Sequence, residues 1–138
     1  MELYYNKDFR PFAKLVTSCI LVTAIEREFE KSKGKEFYMF KEPCYHEYYS
    51  RGDSWVEILG FSADEVQTAF SKIGVVYKSK KSLIEKGIDK AFFNEKNEEM
   101  PYYSYYDRVA GLTWYFRNDT FLEKYFNKLS KKKKRWKL

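Results

Sequence analysis

The chain has 138 residues, a length that fits one domain around one hydrophobic core. Aromatic residues make up 20% and charged residues 33%, which excludes a wholly disordered chain. The formal net charge is +6, but six of the 26 Lys and Arg residues lie in the last eight positions, so residues 1–130 carry 20 basic and 20 acidic side chains. We therefore expect a single domain at 1–130 and a basic, flexible tail at 131–138, without the globally basic surface of many nucleic-acid-binding domains.

Cysteine usage and hydropathy bear on the compartment. Two cysteines, Cys19 and Cys44, are too few for a disulfide framework and favour a reducing compartment. The longest apolar stretch lies between Lys14 and Glu26 and is too short to span a membrane. The sequence does not indicate a signal peptide. These features predict a cytoplasmic protein without a membrane partner.

A largely apolar helix is predicted to follow Pro11, a residue suited to a first helical turn. We expect this helix to be buried at the centre of the domain. Its apolar positions are Phe12, Leu15, Val16, Cys19, Ile20, Val22 and Ile25. Residues 37–41 then form a short β-prone run. Residues 43–49, rich in tyrosine, are called the aromatic loop below.

Two helix starts, eight residues apart, organise residues 54–74. Ser54 with Glu57, and Ser62 with Glu65, have the S-x-x-E spacing in which the hydroxyl caps an amide and the glutamate reaches back. Gly60 can take a positive φ where the first helix ends. This pattern predicts a helix-turn-helix.

The second of these helices has an apolar stripe and a polar face. The stripe at i, i+3, i+4 and i+7 consists of Val66, Ala69, Phe70 and Ile73. At 100° per residue, the opposite face consists of Asp64, Gln67, Thr68, Ser71 and Lys72. In a DNA reader this face enters the major groove, where Gln67 and Thr68 can read base edges and Lys72 a phosphate or a guanine. The face is not basic, because the charges of Asp64, Glu65 and Lys72 sum to minus one.

The stretch WVEILGFSADEVQTAFSKIG, followed by YYSYYDRVAGLTWYFRN, resembles the winged helix-turn-helix proteins of phages, plasmids and related mobile elements. The resemblance covers residues 37–118 and is strongest at 54–74. It implies an α+β winged helix-turn-helix fold with a buried N-terminal helix, an antiparallel wing hairpin and a C-terminal helix. Some members of this group are replication initiators or replisome organisers, and others are transcription regulators or uncharacterised. The implied function is sequence-specific double-stranded DNA binding in mobile-element replication initiation or transcriptional regulation.

The candidate wing consists of two aromatic β-prone runs, 101–107 and 112–117, joined by residues 108–111. A wing packs beside the DNA-reading helix, so Arg108 at its tip can reach a phosphate or the minor groove; the alternative is a solvated turn arginine. Upstream, residues 75–78 predict a strand and residues 82–94 a short helix or ordered insertion.

A final helix is predicted to start at Asn118 or Asp119, either of which can cap it. Its apolar face consists of Phe121, Leu122, Tyr125, Phe126 and Leu129. This face either closes the domain against the first helix or contributes to a homodimer, which we expect to form through the C-terminal or the N-terminal helix. The basic tail can follow the DNA backbone, while a localisation signal, an acidic partner or an anionic membrane surface would suit the same charges.

The candidate DNA-binding residues are polar or basic side chains of the predicted reading helix, insertion, wing and tail. They are Ser62, Gln67, Thr68, Ser71, Lys72, Lys78, Lys80, Lys81, Arg108, Lys131, Lys132, Lys133, Lys134 and Arg135. The neutral charge of residues 1–130 and the aromatic loop favour an alternative function, a non-enzymatic protein-protein interaction module built on the same fold.

The sequence lacks most of the residue patterns from which catalytic sites are built. The chain has one histidine, and neither G-x-x-x-x-G-K-[ST] nor G-x-G-x-x-G occurs. Cys44 and His46 have no second pair to complete a tetrahedral metal site, so we interpret them as loop packing. The carboxylates are abundant but scattered, so the sequence does not exclude a metal-dependent nuclease built from Asp and Glu. We predict no enzymatic activity, no cofactor, no metal and no small-molecule substrate.

Overall fold

The computed structural model describes the backbone of residues 7–136 and the side chains of residues 8–128. These residues form an α+β fold, as predicted. The helices are α1 Arg10–Ala13, α2 Val16–Lys31, α3 Trp55–Leu59, α4 Ala63–Ser71, α5 Lys80–Lys86 and α6 Asp119–Trp136. The strands are β1 Phe37–Tyr38, β2 Gly74–Tyr77, β3 Tyr102–Asp107 and β4 Leu112–Arg117. Short 3-10 turns lie at Lys7–Phe9 and Ile88–Lys90.

One sheet joins the four strands in the order β1-β4-β3-β2. Strand β4 is antiparallel to β1 and β3, and its register with β3 pairs Tyr102 with Arg117 and Asp107 with Leu112. The predicted hairpin is therefore confirmed. Strand β2 runs parallel to β3, and the crossover that a parallel pair requires contains α5.

The predicted buried helix is confirmed as α2, in which Cys19, Val22 and Ile25 are each 0% exposed. It does not run continuously from Pro11, however, because the helix is interrupted at Lys14, which has a φ of 68°. A positive φ is costly for a residue with a Cβ atom and ends the helix there. The residue type of Lys14 gives no signal for this break.

Aromatic side chains fill both faces of the sheet. Tyr102 and Tyr115 join α2, α3 and α4 in the main core, whereas Tyr77 and Tyr103 form a second cluster with Leu83 of α5. Successive strand residues point to opposite faces, so the neighbours Tyr102 and Tyr103 belong to different cores. The aromatic content of the sequence is thus divided between two layers.

A network of hydrogen bonds and ion pairs centred on Glu26 connects α2 to the sheet. Arg117 donates from Nη2 to Glu26 Oε1 at 2.8 Å and from Nε to Oε2 at 3.0 Å. The Tyr102 hydroxyl donates to Glu26 Oε2 at 2.8 Å, and Arg117 Nη1 donates to Asp119 Oδ1 at 2.7 Å. Burial and the Glu26 charge raise the pKa of Tyr102 well above 10. The hydrogen bonds that Arg117 donates to Glu26 raise the pKa of Arg117 above its ordinary value.

Helix α6 begins where predicted, since Asn118 Oδ1 accepts from the Phe121 amide at 3.2 Å. Its apolar face packs against the N-terminal segment, with ring centroids 4.7 Å apart for Phe12 and Tyr125 and 5.8 Å apart for Phe12 and Phe121. This face therefore closes the domain against α1, the first of the two predicted alternatives. The Leu129 side chain lies outside the described residues, and the homodimer stays a prediction.

Candidate nucleic-acid interface

Both predicted helix starts are confirmed, although their glutamates behave differently. Ser62 Oγ accepts from the Glu65 amide at 3.1 Å, and Glu65 Oε1 accepts from the Ser62 amide at 3.0 Å, a complete capping box. Ser54 Oγ also accepts from the Glu57 amide, at 3.3 Å. Glu57, in contrast, turns to the preceding chain: its Oε2 accepts from the Gly52 amide and from Ser54 Oγ, each at 2.9 Å.

The turn between α3 and α4 is made by Gly60, which has a φ of 70° and donates its amide to the Val56 carbonyl. A left-handed residue at this position ends α3 while satisfying one of its last carbonyls. The local geometry predicted for the helix-turn-helix is therefore present. Helix α4 begins with its own serine cap directly after the turn. The turn and the cap together therefore determine where α4 starts.

Helix α4 separates its two faces as predicted. The stripe of Val66, Ala69, Phe70 and Ile73 is at most 6% exposed. The side chains of Gln67, Thr68, Ser71 and Lys72 are all exposed. Ser71 Oγ donates to the Thr68 carbonyl at 2.6 Å, which leaves the Ser71 hydroxyl oxygen as an acceptor toward solvent.

The buried side of α4 is fixed by contacts with two other elements. Ser18 Oγ of α2 donates to the Ala69 carbonyl at 2.8 Å. The Phe70 ring meets Tyr115 of β4 edge to face at 5.5 Å. A Cβ atom on Gly74 would lie 2.4 Å from Phe70 Cζ, so glycine is needed where α4 turns into β2. These contacts hold the exposed face of α4 in one orientation.

Charges near α4 are mostly acidic. Asp64 and Glu65 lie in its first turn, where they favour the helix but not a phosphate. At its other end, Ser71 and Lys72 line a groove of about 640 Å³. The charged residues that share the groove are Lys14, Glu95, Lys96, Glu98 and Glu99. Gln67 and Thr68, in the middle of the exposed face, are not among the residues that line this groove.

The turn of the hairpin, residues 108–111, is held in a fixed shape by Asp107. Asp107 Oδ1 accepts from the amides of Val109 and Ala110, each at 3.1 Å, and the Gly111 amide donates to the Asp107 carbonyl at 2.7 Å. Gly111 has a φ of 71°, as expected for a glycine that closes such a turn. The aspartate was not among the predicted site residues, although Asp followed by Gly four residues later is a recognisable turn signal.

Arg108 is directed along the sheet rather than only into solvent. Its Nε donates to the carbonyl of Lys78, which directly follows β2, at 3.4 Å. Lys80 and Lys81 then occupy the first turn of α5, and all three lysines are exposed. The structure thus brings Arg108 next to the lysine-rich segment that begins the insertion.

The predicted residues therefore form two groups. Ser62, Gln67, Thr68, Ser71 and Lys72 lie on α4, which leads into the first residue of β2, while Lys78, Lys80, Lys81 and Arg108 lie beyond its last residue. Four strand residues separate the groups, a rise of about 13 Å. The side chains of Lys131, Lys132, Lys133, Lys134 and Arg135 lie outside the described residues, although the backbone of α6 continues to Trp136.

His46 connects the aromatic loop to the hairpin turn, a role that its sequence neighbours do not reveal. Its Nε2 lies 2.6 Å from the Ala110 carbonyl, and the Tyr48 amide donates to its Nδ1 at 2.9 Å. The nearby Cys44 thiol is exposed. Within the described part of the chain, no group of three or more His, Cys, Asp or Glu side chains is arranged to hold a metal ion.

Among the described helices, none combines the length and the apolar character needed to cross a membrane. No protein-family model, no curated protein and no solved structure matches the chain.

Proposed function

We propose that the protein binds double-stranded DNA sequence-specifically as a winged helix and acts in mobile-element replication initiation or transcriptional regulation. In this proposal α4 is the recognition helix and the β3–β4 hairpin is the wing. The protein is non-enzymatic in this proposal. It is also cytoplasmic, a reducing compartment in which its two cysteines stay free.

The order of the elements supports a winged helix. Helix α2, strand β1, the pair α3 and α4, and the hairpin follow one another in the sequence, and β1, β4 and β3 lie side by side in the sheet. This is the arrangement expected of a winged helix. Strand β2 and helix α5 are then an insertion between the recognition helix and the wing.

One observation carries the DNA-binding proposal: α4 is immobilised through its apolar stripe, while a row of neutral hydrogen-bonding side chains faces outward. Gln67 and Thr68 have the donors and acceptors that base edges require, and the buried Ser18–Ala69 hydrogen bond fixes their direction. A rigid helix presents such groups without the entropy cost of ordering them during binding.

Attraction to the phosphate backbone has to come from outside α4, because its ends carry or adjoin carboxylates. Lys78, Lys80, Lys81 and Arg108 form one basic group beside the hairpin turn. The tail at 131–138 adds six basic residues. Sequence preference and general affinity are thus assigned to different parts of the chain.

The decisive experiment separates the general affinity for DNA from the preference among DNA sequences. Random duplex pools are bound to the full chain and to a chain lacking residues 131–138, at several salt concentrations. Without the tail, affinity should fall alike for all sequences while the preference among sequences survives. Each lost phosphate contact should reduce the slope of log affinity against log salt by about one unit, to a total of about six.

The competing function is a protein-protein interaction module, which two observations favour. Residues 1–130 carry no net charge, and the aromatic loop exposes Tyr45 at 107% and Tyr48 at 56%. If the tail-less chain loses every DNA interaction, including sequence preference, the folded part is such a module. Binding by the full chain that ignores sequence would point to the same conclusion.

A further inference from the structure

One face of the sheet carries a row of aromatic rings that the proposed function does not use. Trp114 of β4 pairs in register with Tyr38 of β1 on one side and with Tyr105 of β3 on the other. Paired residues of neighbouring strands point to the same face, so the three rings lie side by side across three strands. Phe116, two residues along β4, is on the same face and stacks with Tyr105 at a centroid distance of 5.7 Å. These four side chains are called the ring surface.

The ring surface is only partly covered by the rest of the fold. Helix α5 packs on the same face, but through Leu83 against Tyr77 and Tyr103, which lie toward β2. Tyr38 is 40% exposed, and the other three rings are each between buried and exposed. The Tyr38 and Trp114 rings meet edge to face at 5.4 Å. The sheet therefore holds the rings in fixed positions while part of their surface contacts solvent.

Basic residues flank the ring surface at both ends of the strands. At the hairpin end, Lys78 directly follows β2, and Arg108 donates to its carbonyl at 3.4 Å. At the other end, Lys33 and Lys35 lie in the turn before β1. All four side chains are exposed. A polyanion that crosses this face therefore meets positive charge where it arrives and where it leaves.

The carboxylates near the rings limit where negative charge can lie. Burial, followed by the charges of Asp107 and Glu36, raises the pKa of Tyr105, which places both carboxylates close to the rings. Asp107 already accepts from two amides of the hairpin turn. Glu36 directly precedes β1 and is exposed. The ligand that fits has flat, uncharged groups over the rings and its negative charges at the flanks.

We propose that the ring surface binds single-stranded nucleic acid by stacking unpaired bases on Tyr38, Trp114 and Tyr105, with the phosphates toward the flanking basic residues. Every base has a flat face, so such stacking tolerates any sequence, whereas bases inside a duplex are stacked on one another and do not reach the rings. The site lies on the face of the sheet opposite α4, whose Phe70 packs on Tyr115 of the other face. It goes beyond the proposed function and does not rest on it.

Fluorescence anisotropy with the full chain tests the proposal on two labelled probes. One is a single-stranded oligothymidylate of about 12 nucleotides, and the other is an abasic strand of the same length. Tyr38→Leu should weaken oligothymidylate binding about five- to fiftyfold, as expected for loss of one stacked base. The same substitution should leave the abasic strand unaffected. The basic tail contributes to both probes alike, since it can contact only their phosphates.

Two further variants control for structural damage. Tyr106→Leu is matched to Tyr38→Leu because Tyr106 is 43% exposed, but it directly follows Tyr105 in β3 and so points to the opposite face. It should leave oligothymidylate affinity unchanged. Glu36→Gln removes a negative charge beside the rings and should raise the affinity for both probes about two- to fivefold at low salt. Damage to the fold does not produce such a gain.

Equal oligothymidylate affinities of Tyr38→Leu and Tyr106→Leu, or no binding of this probe by the wild type, would overturn the proposal. So would a wild type that sediments as a dimer and becomes monomeric on Tyr38→Leu with oligothymidylate affinity unchanged, because the ring surface would then join two copies of the chain. Gln67→Ala on α4 should leave oligothymidylate binding intact. Failure of duplex recognition and failure of the ring surface are therefore distinguishable.

Discussion

Ser18 and Ala69 are joined by a buried hydrogen bond of 2.8 Å between the serine hydroxyl and the alanine carbonyl. The bond links α2 to α4 across 51 residues of chain. It fixes the rotation of α4 about its own axis, which decides whether Gln67 and Thr68 face outward. Orientation of the proposed recognition helix therefore depends on a serine in a different helix.

Replacing Ser18 with alanine should lower the free energy of unfolding by about 1 kcal/mol, the net contribution of one buried hydrogen bond. Thr23→Ala in the same helix is the matched control, because the Thr23 hydroxyl donates only within α2, to the Cys19 carbonyl at 3.1 Å. Urea unfolding followed by circular dichroism measures both. Equal effects of the two substitutions would show that the Ser18 bond does not stabilise the α2–α4 contact.

The Glu26–Arg117 pair should contribute more, since its side chains are only 22% and 18% exposed. Glu26→Gln weakens charge-assisted bonds to both Arg117 and Tyr102, and we expect a loss of about 1.5–3 kcal/mol in the free energy of unfolding.

Glu28→Gln provides the control for this prediction. Glu28 also lies in α2, but its partner Lys31 is 73% exposed, so that pair should contribute less than about 1 kcal/mol. Thermal unfolding at constant pH distinguishes the two variants. A Glu26 variant no less stable than the Glu28 variant would contradict the assigned role of the network.

The Tyr49–Glu57 hydrogen bond, at 2.5 Å, makes the aromatic loop sensitive to acid. This bond lowers the pKa of Glu57 below its ordinary 4.5, and the same bond raises the pKa of Tyr49 to about 12. A lowered carboxyl pKa means that the folded state favours the carboxylate. Its stabilisation is complete above about pH 4.5 and is lost as the pH falls through the lowered pKa.

Tyr49→Phe should therefore move the pKa of Glu57 upward, while Tyr48→Phe should leave it unchanged. Carboxyl carbon shifts followed by NMR during an acid titration give the pKa directly. If both phenylalanine variants titrate at Glu57 like the wild type, the hydroxyl of Tyr49 is not what stabilises the carboxylate.

Features set by near neighbours were predictable from the sequence. The Ser62 cap, the Gly60 turn and the hairpin each depend on residues only a few positions apart, and all three have the expected geometry. Strand β2 was also recognised by its composition. Its parallel pairing with β3 was not, because a strand's residues do not specify which partner a crossover will bring beside it.

Long-range partners explain the remaining differences. Glu26 and Arg117 are 91 residues apart, and His46 and Ala110 are 64 apart, so no local pattern connects either pair. The break at Lys14 was not predictable either, because its φ of 68° is one that lysine does not favour. Of the proposed interface, the exposed face of α4 followed from periodicity, whereas the contact between Arg108 and Lys78 did not.

The central claim, that α4 reads a duplex, is tested most directly by substitutions on its exposed face. Duplexes enriched from a random pool by the full chain are bound to Gln67→Ala, Thr68→Val and the control Thr120→Val, an exposed helical threonine of α6. Gln67→Ala should relax the preference at one base position, at a cost of about 1–3 kcal/mol, without changing the salt dependence. Thr120→Val should change neither. If the Gln67 and Thr68 variants keep the full wild-type preference, α4 is not the reading element.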